Sequence, residues 1–127
     1  NYEQPEHPLA GVDRHFRIAA ELQHAFPDLP LVGSGYSWLQ KYAINAGAAQ
    51  IAAGNIRFFG VGRGALAYPD FARDALEKGE LDERRCCKTL TYCTYLMRHK
   101  SPTGCPPFDK EAYGPIVKLA RLTARSQ

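Results

Sequence analysis

The sequence contains the stretch Ile56-Arg57-Phe58-Phe59-Gly60-Val61-Gly62-Arg63-Gly64-Ala65-Leu66-Ala67-Tyr68-Pro69-Asp70-Phe71, and we expect it to decide the fold. Residues 56–61 are mostly apolar, with β-branched and aromatic side chains, which is typical of a buried strand. Gly62 and Gly64 follow and let backbone N–H groups approach a ligand closely. Arg63 adds a permanent charge and a planar fork of donors that suits a phosphate. Alone, a Gly-Arg-Gly sequence is a weak signal, since it is more often only a turn.

A second glycine turn lies about one βα unit upstream. Residues Pro30–Ser34 form another short apolar run, and Gly35 and Tyr36 follow it. Residues 38–53 predict a helix that Ser37 can cap. This order is the pattern of a parallel βαβ unit, in which both turns fall at the carboxyl ends of adjacent strands. In a TIM barrel the last two strands place such turns side by side, where they share a phosphate site.

Further helices are predicted on either side of these strands. Asp13 is a suitable N-cap for a helix that runs to about Ala25. Residues 64–68 predict a short helical turn, and a longer helix then follows until Gly79 stops it. Backbone N–H groups at the first turn of a short helix here would add to an anion site.

Three segments resemble the C-terminal part of NADH:flavin oxidoreductases of the old yellow enzyme family. The segments are Pro30-Leu31-Val32-Gly33-Ser34-Gly35, Gly60-Val61-Gly62-Arg63-Gly64-Ala65-Leu66-Ala67-Tyr68-Pro69-Asp70-Phe71 and Gly79-Glu80-Leu81-Asp82. The resemblance runs from about His7 to about Asp109 and keeps the family's order and approximate spacing before a cysteine cluster. It implies an FMN enzyme that takes hydride from NAD(P)H and passes it to an activated alkene or a related electrophile.

The resemblance also implies which residues hold the cofactor. Backbone N–H groups around Gly35 and Tyr36, and around Gly62 and Arg63, would bind the FMN phosphate, with the Arg63 side chain as the charged clamp. The family's substrate-binding histidines, proton-donating tyrosine and flavin-ring contacts come from earlier strands. The chain therefore contains no catalytic residue of that scheme, and we expect it to be inactive alone.

The length of the chain limits what it can form. It has 127 residues, whereas a complete TIM barrel needs roughly 250. It begins at Asn1 in a proline-rich segment, and we expect it to be the C-terminal piece of a longer protein. The predicted fold class is α/β: residues 1–79 form the last two βα units of an FMN-binding TIM (β/α)8 barrel. Residues 80–127 form an extension with a cysteine cluster and a last helix over residues 111–124.

The extension contains four cysteines, two of them adjacent. In larger relatives such as the dienoyl-CoA reductases and trimethylamine dehydrogenase, three close cysteines and a fourth about a dozen residues later hold an iron–sulfur cluster. The resemblance places Cys87, Cys93 and Cys105 on three ligand positions of a [4Fe-4S] cluster. The remaining position is Leu90, and leucine cannot ligate iron.

Three interpretations of the cysteines stay open. Cys86 can be the missing ligand, although adjacent cysteines rarely direct both sulfurs at one centre. A zinc site of the Cys3His type can use Cys87, Cys93, His99 and Cys105. The third interpretation is a set of thiols that bind no metal, because ligand count decides a closed site.

Composition restricts the partners. The 16 basic and 13 acidic residues give a net charge of +3 and are scattered, without the basic stripe that nucleic-acid binding needs. No apolar run approaches the length of a membrane span. Four cysteines with this spacing are more typical of a cytoplasmic metal or redox protein than of a secreted disulfide framework. Two parallel strands with open edges predict a homo-oligomer if the piece is isolated.

Two rival functions follow from the same residues. The first is a TIM-barrel enzyme of another class whose substrate, rather than its cofactor, carries the phosphate. The second is a noncatalytic metal-binding or assembly module centred on residues 86–105.

Overall fold

A computed structural model describes residues 6–125, and helices make up most of this part of the chain. The two strands are β1 (Val32–Gly33) and β2 (Phe58–Phe59), and a 3-10 helix spans Tyr36–Tyr42. The α-helices are α1 (Pro8–Ala25), α2 (Ala43–Ala52), α3 (Gly64–Ala67), α4 (Phe71–Lys78), α5 (Tyr92–Arg98) and α6 (Lys110–Arg125). Among the described residues, none of these helices is long and apolar enough to cross a bilayer.

The two strands pair in parallel, with Val32 opposite Phe58 and Gly33 opposite Phe59. The Gly60 N–H donates to the Gly33 carbonyl oxygen at 2.9 Å and continues the ladder past β2. A Cβ atom at Gly60 would lie 2.7 Å from that oxygen, so only glycine lets the strands stay this close. The predicted parallel pair is therefore confirmed. The barrel around it stays a prediction.

One face of the strand pair is covered by α1 and α2. The ring of Tyr36 lies between Phe16 of α1 and Phe59 of β2, with ring centres 4.9 and 4.6 Å away. Gly47 brings α2 so close to Phe59 that a Cβ atom there would lie 2.5 Å from the ring. With the buried Ile56, these residues form the core of the N-terminal half.

The opposite face of the strand pair is bare. Side chains alternate along a strand, so Val32 and Phe58 point away from the helices. Their exposed fractions are 61% and 57%. The pair thus has helices on one face only, within the part of the chain that is described.

A second core lies between α5 and α6. Leu96, Val117 and Ala120 are buried there, with tyrosines of both helices packed around them. Gly104 lies against the ring of Tyr113, since a Cβ atom at this glycine would overlap that ring. The extension therefore folds around its own apolar cluster.

Helix α1 begins earlier than its predicted cap. It starts at Pro8, and His7 is the N-cap, whose Nδ1 accepts a hydrogen bond from the Leu9 N–H at 3.2 Å. Asp13 lies inside the helix, where its carboxylate pairs with Arg17. The prediction was wrong because proline suits the first turn, where no N–H is needed, and the preceding histidine replaces the expected carboxylate cap.

The helix predicted over residues 38–53 is divided in two. Gln40 has a φ of +51°, which interrupts the helical backbone within the 3-10 helix, three residues before α2 begins. Ser37 makes no capping bond, and Gly35 precedes the 3-10 helix with a φ of +94°. The strands are also shorter than predicted, with two residues each. The last helix, α6, contains the predicted residues 111–124.

Candidate functional site

The two glycine turns line one open cleft at the carboxyl ends of β1 and β2. The cleft measures about 500 Å³, including the solvent at its mouth. Gly35 and Tyr36 contribute from the first turn, and Gly60, Gly62 and Gly64 contribute from the second. A parallel pair brings these turns together because both strands end at the same edge.

Backbone donors are available in both turns. Within residues 6–125, the N–H groups of Gly35, Gly62 and Arg63 make no hydrogen bond. A Cβ atom built on Gly62 would meet nothing within 4 Å, so there is open space beside this residue. Free N–H groups next to open space at a turn are the arrangement that binds anions.

Arg63 supplies a positive charge that no carboxylate neutralises in the described part of the chain. Its side chain is not in the wall of the cleft. The guanidinium reaches across to α5, where Nη1 donates to Thr94 Oγ1 at 2.7 Å. The backbone of Arg63 is therefore at the turn, and its charged end is held against the extension.

The side chain of Tyr36 belongs to the core rather than to the anion site. Its hydroxyl is buried and has no hydrogen-bond partner among the described residues. Burial raises the pKa of this phenol, so it stays neutral. Tyr36 serves the cleft through its backbone position and through the packing of its ring.

A charged network that the sequence patterns did not predict lies behind the cleft. Tyr68 lines the cleft and donates its hydroxyl to the carboxylate of Asp74. Arg85 donates to Asp70 at 2.7 Å and to Asp74 at 3.3 Å, and its guanidinium lies 4.2 Å above the Tyr68 ring. The Tyr68 bond and the Lys78 ammonium lower the pKa of Asp74 to about 2. The network joins α4 to the extension.

Three of the four thiols share a second, smaller cavity. Cys87, Cys93 and Cys105 line it together with Leu90. Burial raises the pKa of the Cys105 thiol. A hydrogen bond from the Phe108 N–H lowers this pKa in part, and the nearby Cys87 and Cys93 raise it. This cavity, the thiol pocket, holds the three cysteines to which the resemblance assigns a common site.

Neither proposed fourth ligand reaches the thiol pocket. Cys86 is buried, donates its thiol to the Asp82 carbonyl oxygen at 3.4 Å and lines the first cleft instead. Nδ1 of His99 lies 2.9 Å from the Tyr95 carbonyl oxygen, and its ring stacks on the Tyr95 ring. Among residues 6–125, no group of three or more His, Cys, Asp or Glu side chains is arranged to hold a metal. The donor set therefore does not fit a four-cysteine cluster.

The cleft and the thiol pocket share a wall. Cys87 lines both cavities. Thr94, which holds Arg63, directly follows Cys93 on α5. A shift of α5 would therefore move the Arg63 side chain at the glycine turn, because the Arg63–Thr94 hydrogen bond connects the two.

Comparisons of the chain with protein-family models, curated proteins and solved structures gave no match.

Proposed function

We propose that this chain supplies the FMN phosphate site of an FMN-dependent NAD(P)H oxidoreductase. The observation that carries the proposal is the meeting of two glycine turns at one cleft. Within residues 6–125 the N–H groups of Gly35 and Gly62, which line the cleft, and of Arg63, which lies between two lining glycines, make no hydrogen bond. No carboxylate of residues 6–125 neutralises the charge of Arg63, and this charge adds electrostatic attraction for a phosphate dianion. These groups fit the phosphate end of the cofactor.

The arrangement of the helices supports a barrel as the setting of this site. In a TIM barrel the helices surround the sheet, and the inner faces of the strands meet each other. Helices α1 and α2 cover one face of the strand pair, while Val32 and Phe58 leave the other face bare. On this proposal the remaining strands of the same barrel cover Val32 and Phe58, and an isolated chain covers them by homo-oligomerisation.

The chain's own residues bind and orient the cofactor. Bound FMN would supply the hydride chemistry, with NAD(P)H as the donor. The Gly35, Gly62 and Arg63 amides would hold the phosphate, and the Arg63 guanidinium would balance its charge. No residue is assigned a catalytic role, so the proposal predicts cofactor binding without turnover for this chain alone.

The test is FMN binding by the full chain and by Arg63→Ala. We expect the wild type to bind FMN, and the substitution to weaken binding roughly 10- to 100-fold because a charge-assisted bond is lost. Binding is measured by quenching of FMN fluorescence. Arg17→Ala is the matched control, since Arg17 pairs with Asp13 on α1 and does not line the cleft. Riboflavin, which lacks the phosphate, should bind far more weakly, and equal binding of riboflavin and FMN would contradict the proposal.

A second candidate is a TIM-barrel enzyme whose substrate carries the phosphate. The observation that favours it is that the groups identified in the cleft would contact only a phosphate group, which a substrate can carry as well as FMN. Inorganic phosphate and sugar phosphates would then compete with FMN at similar concentrations. Tight FMN binding with weak competition by inorganic phosphate favours the flavin function.

The third candidate, a metal-binding or assembly module, rests on the three cysteines that line the thiol pocket. A structural zinc site would give close to one zinc per chain in metal analysis of the purified protein. A [4Fe-4S] cluster held by four cysteines is not part of the proposal, because Leu90 lines the pocket and Cys86 is directed elsewhere.

A further inference from the structure

We propose that residues 81–87 form a movable wall of the cleft, which opens when the Lys41–Glu83 ion pair breaks. This segment, the strap, contains no helix or strand. Three of its residues line the cleft, namely Leu81, Cys86 and Cys87. Opening of the strap widens the cleft for any ligand, so it does not depend on whether FMN is the one that binds.

The strap is held to its surroundings by side chains. Its backbone folds on itself, since the Arg85 N–H donates to the Asp82 carbonyl oxygen at 3.0 Å and the Cys86 N–H donates to the Glu83 carbonyl oxygen at 3.3 Å. Among residues 6–125, no backbone–backbone hydrogen bond joins the strap to another segment. The strap can therefore move as a unit when its side-chain contacts break, at little cost to the rest of the fold.

One side of the strap is anchored firmly to α4 and to the residues before it. Arg85 donates to Asp70 at 2.7 Å and to the buried Asp74 at 3.3 Å. Its guanidinium also lies over the Tyr68 ring, and the Asp82 N–H donates to the Tyr68 hydroxyl at 3.4 Å. Salt screens partly buried charges only weakly, so this side of the strap stays in place.

The other side of the strap is attached to the 3-10 helix by one exposed ion pair. Lys41 Nζ lies 2.7 Å from Glu83 Oε2, and the two side chains are 40% and 59% exposed. Lys41 follows Gln40, which lines the cleft, so the pair joins the strap to the element that follows the first glycine turn. An exposed pair contributes little to stability, and salt weakens it further. The strap therefore opens at this side first.

The test uses the Cys86 thiol of the full chain as a reporter of opening. This side chain is 5% exposed, and its thiol donates to the Asp82 carbonyl oxygen, which belongs to the strap. The measured quantity is the rate at which iodoacetamide, a small neutral reagent, alkylates Cys86. Fragmentation mass spectrometry distinguishes the label on Cys86 from a label on Cys87.

Lys41→Gln and Glu83→Gln each break the ion pair, and we expect both to raise the Cys86 alkylation rate roughly two- to fivefold. Burial raises the pKa of the Cys86 thiol, and the Lys88 ammonium lowers it in part. The carboxylates of Asp82 and Glu83 raise it further. Glu83→Gln would thus make the thiol more reactive even without opening, whereas Lys41→Gln leaves that carboxylate in place. The two variants are therefore compared.

Two further comparisons test the ion pair itself. Exchange of the charges, Lys41→Glu with Glu83→Lys, should return the Cys86 rate close to the wild-type value, because the pair forms again. Salt at about 1 M should accelerate alkylation of the wild type, since it screens the exposed pair. It should change the rate of Lys41→Gln little.

Two controls separate opening of the strap from other effects. Arg17→Gln removes one partner of another exposed ion pair, with Asp13 on α1, and should leave the Cys86 rate unchanged. Amide hydrogen exchange at Leu96, which is completely buried in the second core, reports unfolding of the chain. It should be the same in the wild type and in Lys41→Gln.

The outcomes decide between opening and its alternatives. A Cys86 rate that rises in Glu83→Gln but not in Lys41→Gln overturns the proposal, because the change then comes from the pKa of the thiol. Equal rates in all variants, or a rise accompanied by faster exchange at Leu96, also overturn it. Alkylation needs no ligand, so a failure of FMN binding would leave this result intact, and the two proposals can fail separately.

Discussion

Asp74 is the residue at which burial and charge conflict most directly. Its side chain is 1% exposed, yet it carries a carboxylate. A buried charge is tolerated only with partners, and Asp74 has the Tyr68 hydroxyl and the cations of Arg73, Lys78 and Arg85. Because Arg73 and Lys78 lie on α4 and Arg85 lies on the extension, the charge of Asp74 links the two parts of the chain.

The lowered pKa of Asp74 predicts sensitivity to acid. The folded-state pKa is about 2, against the ordinary value of 3.8. The charged form thus stabilises the fold fully above about pH 4, and this contribution is lost as the pH falls from 3.8 toward 2. We expect the urea midpoint to fall across this range, and Asp74→Asn to start lower at neutral pH and to fall less. An unchanged acid dependence in Asp74→Asn would show that other carboxylates cause it.

At the scale of elements, glycines set the distances between strands and helices. Gly47 is the point where α2 meets β2, since a Cβ atom would lie 2.5 Å from the Phe59 ring. A helix gains about 1 kcal/mol when alanine replaces an interior glycine. An overpacked contact costs about 1–3 kcal/mol. The two effects oppose each other at this position.

We therefore expect Gly47→Ala to destabilise the chain by up to about 2 kcal/mol, with the steric cost exceeding the helical gain. Urea denaturation measures the change. Phe59→Leu is the compensating variant, because a smaller side chain makes room for the added methyl group. A Gly47→Ala chain more stable than the wild type would mean that α2 moves away from β2 at little cost.

The elements that could be predicted from the sequence are those with local signals. The apolar runs and their glycine turns predicted the parallel pair, and Gly79 predicted the end of α4. The break at Gln40 has no such signal, because glutamine is an ordinary helix former. Three of the predicted site positions, Gly35, Tyr36 and Gly62, do line the cleft.

The missed parts of the site depend on tertiary contacts. Sequence spacing gave no reason for Arg63 to turn toward Thr94, which lies 31 residues later. The Asp74 network also crosses from α4 to Arg85. The available signal was the four-residue spacing of Asp70, the N-cap of α4, and Asp74 in its first turn, with basic residues beyond Gly79. This spacing did not indicate which basic side chain would contact the two carboxylates.

For the whole molecule, the bare face of the strand pair predicts association. Val32 and Phe58 expose apolar surface beside open strand edges, an arrangement that favours pairing with other chains. We expect sedimentation velocity to show concentration-dependent association. Val32→Thr with Phe58→Thr should reduce it.

Leu76→Ser is the matched control for association, because Leu76 is 88% exposed on α4, away from the strands. It should leave association unchanged. A wild type that sediments as a monomer at all concentrations, or an equal effect of Leu76→Ser, would exclude the strand face as the contact.

The one-sided cover of the strands also determines which positions tolerate substitution. Gly33 and Phe59 are constrained by Tyr36 and α2, inside the described part of the chain. Their immediate neighbours Val32 and Phe58 are exposed, so only a chain or strand that packs on the bare face would constrain them. Saturation mutagenesis of the isolated chain should thus give two intolerant and two permissive positions, alternating along both strands. Within a closed barrel the permissive pair would lose that freedom, and the difference between the two scans would map the inner surface one side chain at a time.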